Sequence, residues 1–366
     1  MVDLLEHEGK KLFKKYGIPI PSGYLINSTD DLKEINKESI IKAQVPAGHR
    51  GLNGGVKKIK NKNEAILVVN RIKKLSFNGF NAKSFLVEEA IKHKKELYLG
   101  LTLDRSLKMP VLIVSPYGGV EIEKIPAKNL GKFHLDIFLG MSEHVKRDAF
   151  SFVKIDEALR DKFYSILDSL WDIFTGEDAE LVEINPLAVT DINLIALDSK
   201  ITIEDDALFR HPEYKKTNDY LDPIEAEAKS KGISFVRLGG DIGLIANGAG
   251  LTLATIDQIK LAGGEAGDFL DLGGTDDPSK VAEAINIVKK SKPKVLFINI
   301  FGGVTKADTV AEGIVQAIKS SDMQFKIIVR LKGVNDEKGR KILMDNHIDA
   351  FTDISEAIKK AVEASK

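Results

Sequence analysis

The sequence predicts an α/β protein in two parts: an α+β domain on antiparallel sheet over residues 1–221, then a doubly wound parallel-sheet domain over 222–366. Three observations carry this. Up to about residue 210, strand-like and helix-like stretches follow one another without regular alternation, the pattern of an α+β unit. After residue 233, near-continuous apolar strands alternate with helical stretches, which is how a parallel sheet covered on both faces reads. Between them, 211–232 is polar, carries Pro212 and Pro223, and reads as a linker or a peripheral helix.

In chain order, residues 3–16 place Leu5, Leu12, Phe13 and Tyr16 at helical spacing and stop at Gly17, ahead of Pro19 and Pro21. Strands are expected at 40–44, 84–88, 96–103 and 111–115. Two more, 181–187 and 194–200, alternate apolar with polar residues, the period-2 mark of a half-buried strand. Thr190-Asp191-Ile192-Asn193 between them is short and polar enough to close a hairpin. A two-residue loop at Asp191-Ile192 sets Asn185 opposite Asp198, with Glu183 on the same face. In the second part the expected strands are 243–246, 268–272, 295–300, 326–331 and 349–351. The expected helices are 249–262, 278–290, 306–319, 336–346 and 355–364. No fixed-period repeat is present.

Composition narrows the function. At 366 residues the chain is long enough for two or three cores. Its 53 basic residues nearly cancel 54 acidic ones, so net charge −1 gives no pull toward nucleic acid or an anionic membrane. The absence of cysteine removes disulfides, thiol nucleophiles and cysteine-bound zinc. The early charges at Asp3, Glu6 and His7 argue against a signal peptide, and the apolar run from Val295 is too short to span a bilayer. A cytoplasmic enzyme is expected.

The motifs point to phosphate chemistry. Two carboxylates and an amide oxygen on one hairpin face suit a hard divalent cation such as Mg²⁺, which takes one or two carboxylates and fills its shell with water and phosphate oxygens. Lys42 and Gln44 share one face of a strand that runs into Pro46-Ala47-Gly48-His49-Arg50-Gly51-Leu52-Asn53-Gly54-Gly55, a glycine-rich cationic loop able to cover a polyphosphate. The strand ending at Glu88-Glu89, followed by Lys95-Glu96, would suit an adenine edge on backbone groups and ribose hydroxyls on a carboxylate, although taken alone the segment reads as just a strand and a turn. In the second part three strands run into glycine turns, Asn247-Gly248-Ala249-Gly250, Gly273-Gly274-Thr275 and Gly302-Gly303-Val304-Thr305. Each opens a helix, whose free N–H groups favour anions. None has the spacing of a Walker loop or a dinucleotide fingerprint. The seven histidines form no metal-ligand pair and none adjoins these turns.

Taken together, the segments HEGKKLFKKYGIPIP (7–21), KAQVPAGHRGLNGGV (42–56), LVEEAIKHKKELYLG (86–100), GGVEIEK (118–124), EINPLAV (183–189), LDSK (197–200), ALFRHP (207–212), NGAGL (247–251), NIFGGV (299–304) and VRLKG (329–333) resemble the β subunits of the succinate–CoA ligase family nearly end to end. The resemblance implies an ATP-grasp fold followed by a flavodoxin-like domain. It also implies the Mg²⁺-dependent reaction of succinate, CoA and ATP (or GTP) to succinyl-CoA, nucleoside diphosphate and phosphate. Lys42 would contact nucleotide phosphates, and His49, Arg50 and Gly51 would close over them. Glu88 and Ile91 would border the adenine and Glu96 the ribose, with Asn185 and Asp198 holding Mg²⁺. Glu183 would steady a phosphohistidine that an α-subunit partner, which also binds CoA, brings to the nucleotide. Asn247, Gly303, Val304 and Thr305 would face succinate. The chain departs from the family pattern where Ile91 replaces a small or hydroxyl residue, His49 a glycine and Lys332 an acid. A ligase for another dicarboxylate such as malate, and a nucleotide-binding regulatory subunit without turnover, are the competing readings. Retention of Lys42, Glu183, Asn185 and Asp198 argues against the second.

Overall fold

The computed structural model describes residues 2–48, 50–77, 79–119, 122–214, 222–320 and 323–366. The chain divides into two compact units, Met1–Tyr220 and Leu221–Lys366. Among the described residues no helix is long and apolar enough to cross a membrane.

The first unit runs β1 (Val2–Asp3), α1 (Glu6–Lys15), β2 (Gly23–Ile26), β3 (Ser39–Gln44), β4 (Val56–Ile59), α2 (Lys62–Ile72), the short pair β5 (Ser76–Phe77) and β6 (Phe80–Asn81), and β7 (Ser84–Glu89). It continues with β8 (Lys95–Asp104), β9 (Met109–Ser115), β10 (Gly131–His134), α3 (Glu143–Val153), α4 (Arg160–Gly176), β11 (Ala179–Val189), β12 (Leu194–Ala196) and β13 (Lys200–Ile203). A four-stranded sheet in the order β2-β7-β3-β4 sends Ile41, Ala43, Phe85 and Val87 into one core with α2. The other face of its two central strands, carrying Lys42, Gln44 and Glu88, is left for chemistry, because side chains alternate across a strand. A larger sheet, β1-β13-β11-β8-β9-β10 with β12 beside β11, buries its apolar face under α3 and α4. Both sheets are antiparallel throughout, as the irregular element order predicts.

The first helix is shorter than its apolar spacing suggests. Val2 and Asp3 pair with Ile203 and Thr202 instead of joining it, and the helix opens where Glu8 Oε2 accepts the Leu5 N–H at 2.8 Å. The hairpin has the expected register: Val189 faces Leu194, Leu187 faces Ala196 and Glu183 faces Lys200, with Thr190 N–H bonded to Asn193 O at 2.9 Å across the Asp191-Ile192 loop. The second strand is not continuous, however. The ladder breaks over 197–199, opposite Pro186, which has no N–H to donate. Asp198 sits in that break.

The second unit runs α5 (Pro223–Ser230), β14 (Ser234–Arg237), β15 (Ile242–Ala246), α6 (Ala249–Leu261), β16 (Ala266–Asp271), α7 (Pro278–Ser291), β17 (Val295–Gly302), α8 (Ala307–Ser320), β18 (Lys326–Gly333), α9 (Asp336–Asp345), β19 (Asp349–Phe351) and α10 (Ile354–Ser365). The polar 211–232 stretch therefore supplies α5. Its five parallel strands lie in the order β16-β15-β17-β18-β19, which is 2-1-3-4-5 in chain sequence, the flavodoxin-like order. β14 adds an antiparallel edge. Helices α7 and α8 pack on one face and α6 and α10 on the other.

Asp268, in β16, is 1 % exposed, and its Oδ1 finds no hydrogen-bond partner among the described residues. Ser291 donates to its other oxygen. Burial raises its carboxyl to about 6, so the fold disfavours the ionised form. The associated stability is complete at acid pH below the ordinary aspartate range and is lost as pH rises through 6. The penalty at neutral pH is about 3 kcal/mol. Asp268→Asn is therefore expected to stabilise the protein by about 2–3 kcal/mol at pH 7.5 and by under about 1 kcal/mol at pH 4 in urea denaturation. An equal effect at both pH values would show that the buried charge is no burden.

Candidate nucleotide and carboxylate sites

In the first unit α1, β3, β7, the loop after β3 and the break before β13 converge on a cluster of three acids and three bases: Glu6, Glu88 and Asp198 with Lys10, Lys42 and Arg50. Lys42 and Glu88 are diagonal neighbours, because Lys42 pairs with Leu86 and Ile40 with Glu88, and their charged ends meet at 2.9 Å. Lys42 also donates to Glu6 Oε1 at 2.8 Å and to the Leu197 carbonyl. Lys10 donates to both Glu88 oxygens at 2.6 Å and to the same carbonyl at 2.8 Å. Arg50 Nη2 grips both Asp198 oxygens at 2.9 and 3.0 Å, while Nη1 donates to Ala43 O and lies 2.8 Å from Glu6 Oε2. Burial pushes the Glu6 carboxyl up, but Lys42, Lys10 and Arg50 outweigh it and hold Glu6 well below the usual range. Burial works against the charges of Lys42 and Arg50, and their acidic neighbours overcome it and raise both.

Beside this cluster, Asn185 Oδ1 accepts the Gly119 N–H at 2.8 Å. Glu183 accepts the Tyr98 hydroxyl at 3.3 Å, and burial raises its carboxyl against the opposing pull of Lys200. Asn185 and Asp198 thus present hard oxygen donors on facing positions of one hairpin. Asp198 already neutralises a bidentate cation, so the pocket tolerates positive charge where Mg²⁺ would need it. Ile91 lies in the loop between β7 and β8. Its carbonyl meets His93 Nδ1 at 2.9 Å, and His93 Nε2 meets Glu96 Oε1 at 2.8 Å, so one imidazole joins the two positions assigned to base and ribose. Glu88 is placed deeper than an adenine-bordering role suggests, 3 % exposed with its carboxylate on Lys10 and Lys42. Gly51 is exposed in the loop after Arg50. His49 lies outside the described residues.

In the second unit the strand order reverses between β15 and β17, so the crevice belongs at their carboxyl ends. Asn247 spans it, donating from Nδ2 to Phe301 O and accepting Phe301 N–H, both at 3.0 Å. Asp271 Oδ1 accepts the N–H groups of Gly248 at 2.7 Å and Gly273 at 2.9 Å, an internal carboxylate on the donors of two glycine turns. Thr305 is buried and accepts Thr275 N–H at 3.1 Å, whereas Gly303 is exposed and Val304 is 77 % exposed. The turns therefore divide into a buried strut and an open lip.

The ATP-grasp domain family matches residues 3–189, and the CoA-ligase family matches 245–365. The succinate–CoA ligase [ADP-forming] subunit beta of Ignicoccus hospitalis is 40% identical over 374 residues, covering 100% of both chains. That of Aquifex aeolicus is 39% identical, covering 98% of each chain. The chain belongs to the family of succinate–CoA ligase β subunits. An ATP citrate lyase from Methanothrix soehngenii shares the fold, with a TM-score of 0.74 over 99% of both chains at 17% identity. As a succinate–CoA ligase β subunit the chain is an enzyme component, an ADP-forming acid–thiol ligase by family, with an ATP-grasp domain ahead of a CoA-ligase domain.

Within this β subunit, sequence reasoning singled out neither Glu6, Lys10, Gly119 nor Asp271. The helical spacing of α1 is read from its apolar residues alone, whereas Glu6 and Lys10 are also on its buried face. Gly119 does carry a local signal, its place in GGVEIEK. Its φ is +72°, and a Cβ there would run into Glu96 Oε2. Gly119→Ala combines αL strain with displacement of the groups at both Glu96 and Asn185, and is expected to weaken nucleotide binding about tenfold. Isothermal titration with Mg²⁺–ATP checks this, and unchanged affinity would remove Gly119 from the site.

Proposed function

We propose that this subunit binds Mg²⁺–ATP over residues 1–221 and passes the γ-phosphoryl group to a histidine of an α subunit. The phosphohistidine then phosphorylates succinate, and CoA displaces the phosphate to give succinyl-CoA. The observation that carries the reading is the meeting of Lys42 and Arg50 with the break in the hairpin, Lys42 on the Leu197 carbonyl and Arg50 on the Asp198 carboxylate. Lys42 and Arg50 neutralise phosphate oxygens, and Glu96 takes the ribose hydroxyls. Asn185 and Asp198 would hold Mg²⁺, which screens the charge on the departing diphosphate. Arg50, which holds both Asp198 oxygens, would exchange them for a phosphate oxygen when ATP seats, and Asp198 would then be available to hold Mg²⁺.

Glu183, a half-buried carboxylate with a raised pKa, orients the incoming imidazole by accepting its N–H. Phosphoryl transfer breaks the bond from the γ-phosphorus to the bridging oxygen and forms one from phosphorus to nitrogen. The proton lost by the imidazole leaves to solvent. The phosphorus–nitrogen bond then breaks as a succinate oxygen takes the phosphoryl group and the imidazole is regenerated, and the CoA thiol, giving up its proton to solvent, attacks the acyl carbon and expels phosphate. In residues 222–366, the open Gly303 and Val304 lip and the Asn247 bridge would face the succinate carboxylate, with Thr305 supporting the turn from beneath. The experiment is incubation of the reconstituted complex with γ-labelled ATP. Label should appear on the α subunit with Mg²⁺, vanish with EDTA, and be discharged by succinate and CoA. Label that stays on nucleotide would sink the reading.

A further inference from the structure

The helix-borne pair Glu6 and Lys10 has no place in the scheme above, yet it is more buried than the charged groups that do. We infer that Glu6 and Lys10 are positioning residues for the phosphate end of the nucleotide site: Glu6 fixes Lys42 and Arg50, and Lys10 holds Glu88 away from Lys42 when phosphate arrives. The inference rests on the nucleotide reading of this cluster.

Lys10 and Lys42 are twins in their surroundings. Both ammonium groups touch Glu6 Oε1 at 2.8 Å, both contact Glu88 Oε2 (2.6 and 2.9 Å), and both donate to the Leu197 carbonyl. Lys42 donates to Glu6 Oε1 and the Leu197 carbonyl and meets Glu88 only as an ion pair, so turning to a phosphate oxygen loosens that contact first. Glu88 is the one it can release, because Lys10 already binds both Glu88 oxygens at 2.6 Å and keeps that buried carboxylate neutralised. Without Lys10, Glu88 would be left as an uncompensated buried charge each time Lys42 turned to nucleotide, and Lys42 would stay on Glu88. Glu6 does the complementary work. Its two oxygens face Lys42 and Arg50 separately and hold the two cations in fixed positions between β3 and the hairpin break.

A purely architectural role for these charges is a poor account of them. Desolvating six charged groups costs more than packing apolar side chains of similar size, and breaking one partner leaves the others exposed to that cost. The helix had an apolar alternative at hand, since the same face buries Leu12 and Phe13. The room beside it is also shaped for this contact. A Cβ at Gly9 would collide with the Ser199 hydroxyl, which donates to Glu6 O at 2.9 Å and joins α1 to the residue after Asp198.

The test uses the αβ complex and titrates Mg²⁺ with the non-hydrolysable analogue β,γ-methylene ATP. Glu6→Gln and Lys10→Met are each expected to raise the analogue's Kd at least about tenfold, as truncating one member of a buried charge set does. KM for succinate and CoA should stay within about twofold, and Lys10→Arg should restore affinity. A Lys42→Met background separates positioning from general damage: there, Glu6→Gln should add a smaller loss than in the parent, because only the part of its effect that runs through Arg50 remains. If Glu6→Gln does not fold, the Lys10→Met and Lys10→Arg pair decides the matter by itself. Unchanged Kd in the single variants, or equal losses with and without Lys42, overturns the inference while nucleotide binding by the parent stands. A parent complex that binds no Mg²⁺–analogue overturns the nucleotide reading, and the inference falls with it.

Discussion

Asp198→Ala, reconstituted with its α subunit, is expected to transfer phosphoryl from Mg²⁺–ATP at least about a hundredfold more slowly than the parent, the size of loss seen when one main electrostatic element of a transfer site is removed. Two effects add. On the proposed assignment the metal would lose its one carboxylate ligand, since Asn185 offers only a neutral oxygen. Arg50 loses the partner that grips it through two oxygens, keeping only Ala43 O and Glu6. The fold survives, because Asp198 is 37 % exposed and lies in a break of the ladder, outside the apolar core. Asp198→Asn separates the two effects: it retains an oxygen for Arg50 and removes the charge. Near-normal activity of either folded variant at saturating Mg²⁺ would sink the metal assignment.

The second large effect is all or none. Purified alone, the chain should bind Mg²⁺–ATP and form no acyl-CoA, and adding the α subunit should restore turnover. The reason lies in its own histidines. His7 is bound to Gln44, His134 to Asp104, His144 to Ser142 and His211 to Asp178. His93 is spent between Ile91 and Glu96, and His347 precedes β19, at the end of its sheet away from the glycine turns. None of these described histidines lies beside Glu183 as a phosphoryl carrier would. Acyl-CoA made by the lone chain, with a phosphohistidine mapped to one of its own seven, would overturn this view.

The parts of the site legible in the sequence are those set by local periodicity. Alternation through 181–187 and 194–200 with a polar two-residue loop was enough to set Asn185 opposite Asp198, because a strand register has only one free choice once its turn is known. The break at 197–199 was not legible, since it depends on what Pro186 does to the facing strand. Regular βα alternation after residue 233 gave the parallel sheet. Its strand order is a property of crossovers, and no single segment encodes it. Glu6 and Lys10 were invisible for a related reason. Their partners stand far along the chain, at Glu88 and Leu197, and a helix tells its buried face from its wet one by apolar spacing, which charged residues do not report.

The closing of the first unit by its own beginning has a consequence in time. Val2 and Asp3 occupy the edge of the large sheet beside β13, and Leu4 N–H bonds to Ile201 O at 2.9 Å. The first described strand of the unit is thus completed by the last described one. At ribosomal speeds of 5–20 residues per second, roughly 10–40 s separate the synthesis of the two. Through that interval α1 can coil and its charges can meet Lys42, Arg50 and Glu88, but the Leu197 carbonyl and the Asp198 carboxylate that complete the cluster come only at its end. The unit is a long loop whose ends must meet, and the entropy of that closure falls on the same few residues that gather the charges of the site.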